Sequence, residues 1–287
     1  MGNKIRWKSV WSVAKIEYIK WITNPRIIIL GVLLIFMKGL AIDPLIERGE
    51  KMNIPLNAFE PFVAIGNSGM LVMMLPCVFM VLLGDYPRMG SEILFTIHRA
   101  KKINWFLGQF IFLILAIGSY LTIVMISSIF MSRGRFSLNW SDVVTKYCSI
   151  HPEEAGNFTS QLLPSNLYNQ IPLYKAVLVT FILFMAYLLL LALILYVFRM
   201  LNQGAFAMTL VFIVIGLGVV TCSLKKSIMW LFPMANTIVW LHYDVLLQNE
   251  IYPVWFSAIY YIICIFLIFI ANLYVVYRKQ FMGMEEA

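Results

Sequence analysis

Six stretches of the chain hold about 20 or more consecutive, mostly apolar residues, the length a helix needs to cross a bilayer. They run over residues 22–42, 62–84, 104–131, 173–198, 204–223 and 253–277. A seventh apolar run, 227–241, is too short to cross and is interrupted by Pro233, which predicts a re-entrant or interfacial segment. The polar stretches between the runs, chiefly 43–61 and 132–172, are too small to bury a core of their own. The pattern therefore predicts an all-α polytopic membrane protein, one transmembrane domain over 1–287 with six crossings.

Three shorter patterns refine this picture. Over residues 1–24 a helical wheel gathers Trp7, Trp11, Ala14, Tyr18, Trp21 and Ile22 on one side and Lys8, Ser12 and Lys15 on another, with Ile16 and Ile19 intruding on the polar side. Such a helix lies at the membrane surface, rings at headgroup level and ammonium groups toward water. Asn24-Pro25 ends it, because the residue before proline disfavours helical geometry. The loop 85–102 sets Ile93, Leu94 and Ile97 at helical spacing among Asp85, Arg88, Glu92, His98, Arg99, Lys101 and Lys102, a short amphipathic helix suited to another protein's groove or an ordinary basic loop. The third, 224–252, carries Pro233, Asn236, Trp240, His242 and Asp244 and reads as the lid of a path or as a simple interfacial loop.

Composition agrees with a membrane chain: 61% of the 287 residues are apolar, 13% are charged, and the mean hydropathy is +0.84. Soluble domains hold about 25% charged residues, so a water-soluble globule is excluded. The net charge of +8 acts as a topology signal rather than a nucleic-acid signal. With both ends cytoplasmic, the inner segments hold thirteen basic and five acidic residues and the outer segments nine of each. Basic residues mark the cytoplasmic side, so both termini are expected there, in a cell membrane.

Candidate chemistry is sparse. The four cysteines form no CxxC pair. His151-Pro-Glu-Glu154 and His242 with Asp244 resemble metal or proton sites only in composition. Within the spans Lys38 is the one clear ionisable residue, and it lies close enough to the outer end to reach water. Ion-coupled carriers use buried carboxylates or histidines, which these spans lack. The chain has no Gly-Lys dipeptide for a phosphate loop, no HExxH and no GxSxG, so it is read as a non-enzyme.

In its order of parts the chain resembles the membrane (permease) subunit of a type-2 ATP-binding-cassette exporter. The likeness covers nearly the whole length and is one of layout: an elbow helix with Trp7, Trp11, Lys15, Tyr18 and Trp21, a coupling segment 85–102, and a re-entrant hairpin at 224–252 before the last crossing. The resemblance implies two membrane subunits, identical or related, around a central path. It also implies two separate cytoplasmic subunits that hydrolyse ATP with magnesium, while this chain holds no cofactor. Closure of those subunits would push on Asp85, Arg88, Glu92, Ile93, Leu94, Ile97, His98 and Arg99. By the same analogy Asn67, Met70, Met74, Phe206 and Leu210 would line the path, with Pro233, Asn236 and Trp240 at a gate. A Met-rich lining suits a hydrophobic or amphipathic cargo, peptide-like or drug-like. A channel or ion-coupled carrier, and a non-transport sensor or immunity subunit, are the other classes that fit the sequence.

Overall fold

A backbone inside a bilayer has no hydrogen-bond partner but itself, and most of the apolar runs fold as unbroken helices. The computed structural model describes residues 5–88, 92–154, 156–244 and 249–279, with the side chains of 92–94 outside that description. Among the described residues there are helices and isolated bridges but no strand.

The first helix, α1 (Trp7–Ile22), stops before Asn24, whose side-chain oxygen accepts the Arg26 N–H at 3.0 Å while Pro25 opens the next helical stretch. Proline is tolerated at a helix start because its missing N–H has no intrahelical acceptor there. A 3-10 turn at Pro25–Ile27, α2 (Ile28–Met37), a π turn at Lys38–Ile42 and α3 (Asp43–Met52) together make one 28-residue candidate span, Pro25–Met52. The ten residues of α3 thus continue the helix instead of opening a loop at residue 43.

The second apolar run is not a straight span. It splits into α4 (Glu60–Asn67) and α5 (Gly69–Leu82), bent by 83° about an extended Ser68. The local run Gly66-Asn67-Ser68-Gly69 holds four poor helix formers in succession, which makes this the weakest point of the stretch. After α6 (Glu92–Ala100) and the 31-residue α7 (Lys102–Ser132), the long loop folds as α8 (Asp142–Ile150), a 3-10 turn, α9 (Phe158–Leu162) and α10 (Ser165–Tyr168). The spans α11 (Leu173–Met200) and α12 (Gly204–Leu224) lead to α13 (Pro233–Thr237), and α14 (Val254–Arg278) is the last helix among the described residues. Among the described residues five helices are long and apolar enough to cross a membrane, and the bent pair makes a sixth candidate.

The bundle is centred on α11, which packs against α14, α12, α4 and α7. One end of it is basic. Arg26 pairs with Asp85 at 2.8 Å, Arg88 donates to the Lys20 carbonyl at 3.0 Å, and Arg199 donates to the Gly84 carbonyl. Lys102 reaches the carbonyls of Tyr277 and Lys279, and Lys279 reaches the Met200 carbonyl and Asn202. Arg6 N–H donates to Asn104, so the start of α1, the α5–α7 connection and the end of α14 share this end. Several helix limits carry a residue with positive φ that is not glycine: Asn53, Lys101, Arg133, Asn202 and Lys225.

The aromatic face expected for α1 is divided. Val10, Val13, Ala14 and Trp21 are buried against α7, Tyr18 joins them through a 2.7 Å bond to Ser119, and Trp7 and Trp11 remain exposed with Ile16 and Ile19. The contacts of α1 extend from Asn104 to Ser119 along α7. Gly108 permits this approach: a Cβ there would stand 2.7 Å from Val13 Cβ and 2.8 Å from the Val10 carbonyl. Overpacking of this kind costs about 1–3 kcal/mol. Gly108→Val is therefore expected to lift α1 from the bundle, read as faster proteolysis before Pro25; an unchanged cleavage rate would mean that the helix is held elsewhere.

Candidate functional site

Two irregular segments meet inside the bundle, and their junction concentrates the buried polar groups. Where α4 breaks from α5, Asn67 is fully enclosed. Its Nδ2 donates to the Val63 carbonyl at 2.9 Å and to Thr180 Oγ1 at 3.0 Å, and its Oδ1 accepts the Val239 N–H at 2.7 Å. Its backbone carbonyl accepts Trp240 Nε1–H at 2.9 Å. Burying polar groups costs free energy unless they are bonded, and Asn67 satisfies the break, α11 and the 227–242 segment at once. Gly66 lets α4 close on Thr180, since a Cβ would stand 2.3 Å from Thr180 Cγ2.

Of the re-entrant hairpin expected over 224–252, residues 245–248 lie outside the described residues, and 227–242 folds as short turns. The 227–242 segment comprises a 3-10 turn at Ser227–Leu231, the five-residue α13 and a second 3-10 turn at Val239–His242. Side chains satisfy its backbone: Asn236 donates to the carbonyls of Trp230 and Phe232, and Asn166 from α10 donates to those of Trp240 and Tyr243. Thr237 and Tyr261 both donate to the Pro233 carbonyl. Of the expected gate residues, Pro233 and Asn236 are buried and Trp240 is half-buried.

His242 completes this clasp. Its Nδ1 faces two carbonyls, Ile238 at 3.0 Å and Val239 at 3.2 Å, which assigns the ring hydrogen to Nδ1. Burial pushes its pKa down to about 4, so the ring is neutral at pH 7. Ser257 Oγ lies 2.8 Å from both Nε2 and Asn236 Oδ1, and the two acceptors share its single hydroxyl hydrogen. The Ser–His distance suits a nucleophile and base, but all three side chains are fully enclosed, and a nucleophile needs an open approach for its substrate. The arrangement works as a structural clasp closing α13 onto α14.

The residues expected to line a path are dispersed. Asn67 is an enclosed joint rather than a lining group, Met70 and Phe206 are exposed on the chain's outer surface, and Met74 and Leu210 are half-buried. An apolar side cleft of about 410 Å³ instead lies between α7 and the start of α11, lined by Met125, Leu138, Leu173, Val177 and Phe181.

At the basic end, α6 stands between α5 and α7 and packs on α1 and α7. Ile97 and Ala100 face inward, whereas His98 and Arg99 are exposed and Phe95 is 80% exposed. Asp85 is exposed and pairs with Arg26, and half-buried Arg88 donates to the Lys20 carbonyl. The Glu92, Ile93 and Leu94 side chains lie outside the described residues. Phe95 had no place in the sequence reading, and its apolar character gave no sign that it points away from the bundle.

The opposite end is closed by the long loop. Glu60, at the start of α4, accepts Ser141 N–H at 2.5 Å on one oxygen, and Ser141 Oγ–H at 2.9 Å and Asn57 N–H at 3.0 Å on the other. Arg48 sits 4.5 Å from the Tyr147 ring centroid, and Lys51 bonds both Tyr147 and Glu154. Bonds from Lys51 and Tyr147 hold the Glu154 carboxyl below its ordinary pKa. His151 meets Glu153 at 3.2 Å while Glu154 turns to Lys51, so the three side chains do not converge. Set against known proteins, the chain matches no family model, no curated protein and no solved structure.

Proposed function

We propose that the chain is the membrane subunit of an ATP-driven exporter, of the type-2 ATP-binding-cassette kind, worked by two separate cytoplasmic ATPase subunits that bind ATP and magnesium. The second membrane subunit is another copy or a homologue. The observation that carries this reading is α6: a short helix at the basic end, packed on α1 and α7 through Ile97 and Ala100, that shows Phe95, His98 and Arg99 outward. An exposed aromatic beside a cation is the usual anchor of a protein contact, since aromatic and arginine side chains carry most interface energy. The basic end is then cytoplasmic, in keeping with the excess of basic residues in the segments that meet there.

The anchoring of α6 supports a route for the stroke. A push on Phe95 bears on α1 and α7 through Ile97 and Ala100. The connection before α6 is tied to the foot of the first span by Asp85–Arg26 and to α1 by Arg88. Displacement of α6 would therefore tilt the first and third spans together. The cargo is hydrophobic or amphipathic, in keeping with the apolar spans.

The test is co-purification. Tagged protein from its own cells is expected to carry an ATPase, and Phe95→Ala is expected to weaken that association about 30-fold, the effect of losing about 2 kcal/mol at an anchor. Arg99→Glu should uncouple hydrolysis from transport. Transport or conduction in liposomes without any ATPase, with Phe95→Ala indistinguishable from the parent, would overturn the reading in favour of a channel or carrier.

A further inference from the structure

We propose that the cleft between α3 and the far end of α7 holds one zwitterionic phospholipid from the leaflet opposite the basic end. The cleft has a volume of about 780 Å³, within the range of about 300–1,000 Å³ usual for small-molecule sites. Its floor is apolar, with buried Leu56 and half-buried Ile46 and Met131, and its polar lining includes Lys38, Asp43, Glu50 and Arg133.

Depth places this cleft among lipid headgroups. The first span starts at Pro25, next to the Arg26–Asp85 pair of the basic end. At 1.5 Å per residue, Lys38 lies about 20 Å along it and Met52 about 40 Å. The hydrocarbon core is about 30 Å thick and the bilayer with headgroups about 40–45 Å. The upper part of α3 and the Arg133 end of α7 therefore border the headgroup layer, and the deep part of the cleft borders hydrocarbon.

The charges select the headgroup. Two cations, Lys38 and Arg133, face the cleft with two anions, Asp43 and Glu50, so the lining is neutral in sum. Lys38 holds both Asp43 oxygens at 2.9 Å at the deep end. Glu50 and Arg133 are exposed and, among the described residues, form no ion pair. A phosphate with a tethered ammonium answers this pair with both its charges, and the apolar floor takes the upper acyl chain. An anionic headgroup satisfies Arg133 and meets Glu50 with repulsion.

Local backbone also marks the cleft. Lys38 opens the π turn Lys38–Ile42, a rare helical form frequent at functional sites. Arg133 holds a left-handed backbone with φ 49°, which side chains other than glycine rarely adopt. Both irregularities deliver a cation to the same cleft. The inference stands whether or not the chain works with an ATPase.

The experiment is native mass spectrometry of the full chain released from nanodiscs of equimolar phosphatidylethanolamine and phosphatidylglycerol, repeated with phosphatidylcholine as the zwitterion. One retained lipid is expected, the zwitterion at least tenfold over phosphatidylglycerol in both mixtures. Glu50→Lys makes the lining positive and is expected to invert the preference, while Arg133→Glu abolishes retention. Both residues are exposed, so circular dichroism should match the parent; Ile46→Trp, which fills the floor, is a second way to expel the lipid. Equal retention of both lipids by the parent, an unchanged preference in Glu50→Lys, or a second copy or peptide cargo in place of the lipid would overturn the proposal.

Discussion

Asn67→Leu is expected to lower the unfolding free energy by about 2–4 kcal/mol, read as a shifted midpoint in chemical unfolding of the detergent-solubilised chain. Leucine keeps the branched skeleton of asparagine but is bulkier and more apolar, so the change removes the hydrogen bonds and adds some overpacking at a fully enclosed position. Here the change leaves the Val239 N–H and Thr180 Oγ1 without the groups that bond them. An enclosed donor stripped of its acceptor costs about 1–3 kcal/mol, and a bilayer offers no water in compensation. Thr180→Val serves as a graded control: it removes one of the two acceptors of Asn67 Nδ2 and retains Val63, so about 1 kcal/mol is expected. Stability unchanged in Asn67→Leu would show that the two irregular segments are held together by packing alone.

Glu60→Gln should be nearly as harmful as Glu60→Leu, which is unusual for an isosteric change. Three donors converge on the two Glu60 oxygens, and the side chain is fully enclosed. Glutamine keeps one oxygen but replaces the other with an NH₂ group, a donor aimed at donors. Hydrogen bonds to a charged acceptor contribute about 1.5–3 kcal/mol each, and the desolvation of the enclosed carboxylate offsets part of the three-bond sum, so a net loss of about 2–4 kcal/mol is expected for both variants. Glu60→Asp retains two acceptor oxygens and should recover part of the loss. Protease accessibility of residues 137–141 reads the same event locally, because Ser141 is tied to Glu60 and Asn57 holds the carbonyls of Ser137 and Asn139. A Glu60→Gln variant as stable as the parent would mean that the loop is held by its apolar contacts.

The apolar runs located α7, α11, α12 and α14 within two residues at each end, because a segment that must satisfy its own backbone and shed its polar groups leaves a strong one-dimensional signal. What escaped that reading has a common physical origin. The bend at Ser68 was present as Gly66-Asn67-Ser68-Gly69, but apolarity averaged over the run concealed it. Residues 43–52 looked like loop because they are polar, yet they continue a helix that leaves the apolar layer, where polar side chains carry no penalty. The wheel of α1 grouped its aromatic residues correctly by angle. It could not say that α7 would take Ala14, Tyr18 and Trp21 and leave Trp7 and Trp11 outside, since that depends on the one approach Gly108 permits. Within the 227–242 segment Pro233 foretold irregularity. The use of Asn236, His242 and Ser257 as a clasp needed contacts across chain separations that periodicity does not encode.

The two cations that bracket α7 also fix a length. Lys101 precedes the helix with φ 68° and Arg133 follows it with φ 49°, so each stops the helix where a charge must stay wet. The 31 residues between them measure about 46 Å, close to a full bilayer with its headgroups. A membrane several ångströms thinner would be met by tilting α7 rather than by sinking either end, at a cost of fractions of a kcal/mol per ångström of mismatch. Because α1 lies along the same helix, that tilt would carry α1 with it, and bilayer thickness becomes a mechanical input to the basic end of the protein.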